Sequence, residues 1–125
     1  MKIDKQATGL LTLRLALGVV FLWFGIDKFL NQSAWSGWLP EWLIRISPVN
    51  DKLLIFAIGA FETALGAMIA LGIYARHIAS IASIFLISII LTTGYNEIAI
   101  RDAGLMLAGI SIALLGAGKW SITKE

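Results

Sequence analysis

Five ionisable side chains fall within or at the edge of apolar stretches: Arg14, Lys28, Glu62, Arg101 and Asp102. An unpaired charge at the centre of a membrane helix costs about 2.5–3.5 kcal/mol on insertion scales, so such residues face a bundle interior and have a partner. On a wheel of about 100° per residue, Gly18, Gly25 and Lys28 lie within about 40° of Arg14. The first apolar stretch thus carries one stripe of two cations and two glycines. Glu62 sits near the middle of the second, between Gly59 and Gly66. In an antiparallel partner helix its depth lies between those of Arg14 and Lys28, and either cation reaches it.

Two readings follow from this set. In the first, Glu62 neutralises Arg14 or Lys28, and Arg101-Asp102 is a solvated helix start, where Asp102 suits the helix dipole. In the second, Lys28, Glu62, Arg101 and Asp102 line a polar cavity in one half of the bundle that accepts a polar head group or a proton. Other chemistries are absent from the sequence. There is no cysteine, which removes thiol relays and Cys-ligated zinc or iron–sulfur clusters from this chain. His77 is the only histidine, so bis-histidine haem ligation within the chain is impossible, and His77 reads as a surface residue. No phosphate loop, nucleophile elbow or metal-binding carboxylate cluster occurs.

The elements that position these residues are legible from composition. The 125 residues are 58% hydrophobic and 14% charged, with a mean hydropathy of +0.85. A soluble domain carries about 45–50% apolar and about 25% charged residues, so lipid must act as solvent here. The pI of 9.2 rests on a formal charge of +2, and the bases are scattered, without the basic stripe of a nucleic-acid binder. Four apolar stretches, 9–29, 53–72, 78–95 and 103–118, approach the length of about 20 residues that spans a bilayer. The first follows a basic start but is longer than a signal-peptide core and has no small-x-small cleavage site, so it reads as a retained span. The fold class is therefore all-α: a multi-pass four-helix transmembrane bundle.

Only the first loop, 30–52, is long. Pro40-Glu41 reads as the first turn of a short helix ending at Ser47-Pro48. Trp35, Trp38 and Trp42 recur along it, which suits a segment lying on the membrane surface, or alternatively a lid over the bundle. Ala60-x-x-x-Ala64, Gly66-x-x-x-Ala70, Gly104-x-x-x-Ala108 and Gly109-x-x-x-Ala113 are expected to form close helix contacts. With four spans both termini share a side, which holds Lys2, Lys5, Arg76, Lys119 and Lys124; Lys28, Arg45, Lys52 and Arg101 hold the other. The excess of one base points to cytoplasmic termini in the cell membrane.

At these positions the sequence resembles the DoxX family of small four-helix membrane proteins. Leu13-Arg14 through Gly18, Gly25 and Lys28 is similar to the family's opening helix, Phe61-Glu62 with Gly66 to its second, and Arg101-Asp102 to its fourth. The resemblance runs over 13–116 and implies one DoxX-like domain over 1–125. One branch of the family supplies a subunit of an archaeal thiosulfate:quinone oxidoreductase, another the membrane part of an oxidoreductase complex, and distant relatives are chaperones for membrane proteins. The five charged residues carry over as pattern positions without catalytic roles. The resemblance thus implies a non-catalytic membrane subunit or anchor of a quinone-linked complex, with quinone near Lys28 and Glu62 and protein partners in the bilayer, homo-oligomers included. An assembly factor is the alternative, and a small proton-coupled carrier using Glu62 a third.

Overall fold

The computed structural model describes residues 4–123, so Lys2 and Lys124 lie outside the described residues. Helix α1 spans Lys5–Leu30, and Asp4 caps it by accepting the Ala7 N–H at 3.0 Å. Two short helices follow, α2 (Gln32–Ser36) and α3 (Glu41–Ile46). Helix α4 (Asp51–Leu71) is capped by Asn50 and stops at Gly72, whose φ of 75° suits a residue without Cβ. Helices α5 (Ala75–Thr93) and α6 (Glu97–Leu115) complete the chain, with Asn96 capping α6 through the Ala99 N–H at 2.9 Å. The long helices α1, α4, α5 and α6 are apolar and long enough to cross a membrane, and no strand occurs among the described residues. The fold is the expected four-helix membrane bundle.

Helix α3 begins after Pro40 and ends at Ile46, as the Pro-Glu pair predicts, whereas α2 has no counterpart in the sequence reading. Helix α6 starts at Glu97, well before the apolar stretch at 103, because the Asn96 cap sets the start and hydropathy does not. Asp102 therefore stands more than a turn inside the helix and is 3% exposed, which corrects its expected role as a solvated helix start. Asn96 and Glu97 fill that role instead.

The bundle is two antiparallel hairpins: α1 packs chiefly on α4, and α5 on α6. Glycines make the first seam. A Cβ added at Gly66 would stand 2.7 Å from the Gly18 carbonyl oxygen, and one at Gly25 2.8 Å from that of Gly59. Gly109 makes the second seam against Ser83, whose hydroxyl donates to the Ala79 carbonyl at 2.8 Å and faces that of Met106 at 3.4 Å. Two expected contacts are absent. Ala60 and Ala64 are exposed, and Gly104 has nothing within 4 Å of an added Cβ, so these pairs face outward. The hairpins join through a core that includes Leu17, Phe21, Leu65, Ile69, Ala79 and Ile112. This core lies toward the end that carries the termini, and toward the first loop a cavity lies between the hairpins.

Candidate functional site

The site begins with Lys28, in the last turn of α1. Its ammonium meets the Glu62 carboxylate of α4 at 2.7 Å, where both side chains are about nine-tenths buried (11% and 7% exposed). Close approach of the two backbones at Gly25 and Gly59 brings them within reach. The ring of Trp35, on α2, covers the ammonium with its centroid 3.9 Å away. Its indole N–H donates to Asp27 Oδ2 at 2.9 Å, and Asn31 donates to the other oxygen at 2.7 Å, so the first loop is tied down on the charged pair.

Helix α6 brings the second pair. Arg101 donates through Nε and NH2 to Asp102 Oδ1 at 3.3 and 3.2 Å. The Asp102 side chain is buried while half of the Arg101 side chain is exposed. Phe24 stands between the two cations, its centroid 5.0 Å from the Arg101 guanidinium and 5.8 Å from the Lys28 ammonium.

These groups border a cavity of about 520 Å³ between the two hairpins. Phe21, Phe85 and Leu86 line it toward the core, Ile55 and Ile58 come from α4, and Ser88 and Thr92 from α5. Trp35, Trp38 and Trp42 of the first loop line it as well. Trp38 and Trp42 remain more than half exposed, so the segment covers the cavity through Trp35 while the other two indoles reach outward. An apolar cavity with a few converging polar groups suits a lipophilic molecule with a polar head. Its two cations and two carboxylates cancel.

Four of the five expected residues thus meet at one cavity, and Glu62 pairs with Lys28. Arg14 is elsewhere. It is fully buried near the terminal end and donates through NH2 to the Trp120 carbonyl, while Nε and NH1 have no hydrogen-bond partner among the described residues. The backbone N–H groups of Ile122 and Thr123 donate to Leu71 and Gly72, holding the C-terminal segment across the α4–α5 turn. His77 is exposed near that turn, at the end away from the cavity. Sequence reasoning missed Phe24, Asp27 and the particular role of Trp35; the signal available for Trp35 was its position just past the last turn that carries Lys28.

The family model described as DoxX matches residues 9–94, which includes all but the first turn of α1, the first loop, α4 and α5. Arg101 and Asp102 lie beyond the matched segment. No curated protein and no solved structure matches the chain. The matched segment holds Arg14, Lys28 and Glu62 with the glycines of the α1–α4 seam, and the chain belongs to the DoxX family.

Proposed function

We propose that this DoxX family member is a non-catalytic membrane subunit of a quinone-linked redox complex and that it holds the ligand's head group in the cavity above Lys28 and Glu62. It sits in the cell membrane with both termini on the cytoplasmic side. The observation that carries this reading is the cavity itself: an aromatic and aliphatic chamber bordered by two mutually neutralised charge pairs, Lys28–Glu62 buried and Arg101–Asp102 with only its carboxylate buried. An apolar ring and tail find dispersion contacts on Trp35, Phe24, Phe85 and Ile58, and the ring's oxygens meet the polar groups. A bound quinone would supply a two-electron, two-proton carrier. The chain has no cysteine and a single histidine far from the cavity, so a thiolate-ligated or bis-histidine centre that exchanges electrons with it belongs to a partner protein.

Purified protein is expected to retain quinone in its lipid extract, and Glu62→Gln to lose it. Extracts that carry none, together with a melting temperature that neither quinone nor quinol shifts, would overturn the reading. Affinity purification from native membranes tests the partner. A stoichiometric oxidoreductase supports the subunit, whereas a changing set of client membrane proteins replaces it with an assembly role.

A further inference from the structure

We infer that the cavity is built to prefer a lipophilic ligand that donates hydrogen bonds, the dihydroxy (quinol) form of the ring, over one that only accepts them. The inference rests on the quinone-class reading above and follows from counting donors and acceptors around the cavity. An ammonium has three N–H bonds. Around the Lys28 ammonium stand the Glu62 carboxylate at 2.7 Å, the Phe24 carbonyl at 3.5 Å and the Trp35 ring centroid at 3.9 Å, so little donor capacity remains. Arg101 directs Nε and NH2 to a single oxygen, Asp102 Oδ1, and its remaining N–H groups lie on a side chain that is half exposed at the rim.

The carboxylates are less fully used. Each has about four lone-pair sites. Lys28 approaches Oε1 of Glu62, Arg101 donates to Oδ1 of Asp102, and no hydrogen bond among the described residues engages Oε2 or Oδ2. Among the described residues, buried side-chain polar atoms lacking a partner are confined to Arg14, so these second oxygens are not sealed in the protein interior; both residues line the cavity. The unused donors of the lining, the indole N–H groups of Trp38 and Trp42 and the remaining N–H groups of Arg101, sit on side chains at least half exposed at the rim, so the spare capacity at the buried end of the cavity is acceptor capacity. Charge decides which donor fits. The four charged groups already cancel, so an ammonium ligand would leave one uncompensated positive charge in an apolar chamber, whereas a neutral diol leaves none. A quinone's carbonyls bring further acceptors and leave the carboxylate oxygens without a donor.

The test uses the full chain in one detergent, anaerobically, with four probes that share a decyl tail: a benzoquinone, its hydroquinone, the dimethyl ether of that hydroquinone, and an alkylammonium. The hydroquinone is expected to raise the melting temperature at about tenfold lower concentration than the other three, the scale of one hydrogen bond to a charged group. Asp102→Asn is expected to narrow that gap, since an amide offers one acceptor oxygen where the carboxylate offers two. Quinone or ether binding as tightly as hydroquinone would overturn the donor preference and leave the quinone-class site standing. Tighter binding of the ammonium would overturn it in favour of a cation site. If neither quinone nor hydroquinone shifts the melting temperature, the preference and the quinone-class reading fall together.

Discussion

Lys28 is the side chain on which the cavity turns, and its surroundings explain why it tolerates burial. A carboxylate, a carbonyl and an indole face replace the water it would lose. Removing one member of such a pair leaves the other charge buried and alone, which costs about 3–5 kcal/mol, whereas replacing both with apolar side chains of similar volume is often neutral or stabilising. Lys28→Met is accordingly expected to destabilise the protein by about 3 kcal/mol or more, and Lys28→Met with Glu62→Leu to recover most of that loss. Thermal unfolding of the two variants checks this; a double variant as unstable as the single one would show that the pair is held for reasons beyond mutual neutralisation. The sequence placed Glu62 within reach of two cations and could not choose between them. The choice depends on which glycines the helices share and on Trp35, which arrives from a loop with no long-range periodicity. Arg14 was harder still, because its observed acceptor, the Trp120 carbonyl, is 106 residues away and carries no side-chain signal.

At the level of helices, the small residues divide into those that hold a seam and those that meet nothing. Gly66 presses on the Gly18 carbonyl and on the backbone nitrogen of Leu22, each 2.7 Å from an added Cβ, and backbone cannot step aside as a flexible side chain can. Gly66→Ala is expected to part α1 from α4 and cost about 1–3 kcal/mol, the range of overpacking in a filled core. Gly104→Ala, in the interior of α6 with open space around it, is expected to be neutral or to stabilise by up to about 1 kcal/mol through helix propensity. Melting temperatures measured side by side decide the matter, and equal shifts would contradict the seam. The two glycines look alike in sequence, each opening a small-x-x-x-small pair. Their difference is rotational: hydropathy is high all round these helices, so it reports that they lie in lipid without saying which face is turned inward. Helix existence was legible for the same reason that helix ends were not, since the start of α6 is set by the Asn96 cap and lies outside the apolar stretch.

Across the whole molecule the two hairpins share a core near the termini and a cavity toward the first loop. The sequence tally of bases on the two sides differed by one, but Lys28 and Arg101 sit against the cavity and do not act as loop charges. Among described residues outside the membrane interior, Lys5, Arg76 and Lys119 stand at the terminal end against Arg45 and Lys52 at the other, again an excess of one. On the orientation proposed above, with the termini cytoplasmic, the cavity lies in the outer half of the bilayer. Because the chain has no cysteine, single introduced thiols report the arrangement directly. Lys52→Cys, at an exposed position in the first turn of α4, is expected to react with a membrane-impermeant maleimide on intact cells. Lys5→Cys, exposed at the start of α1, is expected to react only after the cells are opened. The reverse pattern would turn the protein over, place the cavity in the inner leaflet, and move the search for a redox partner to the cytoplasm.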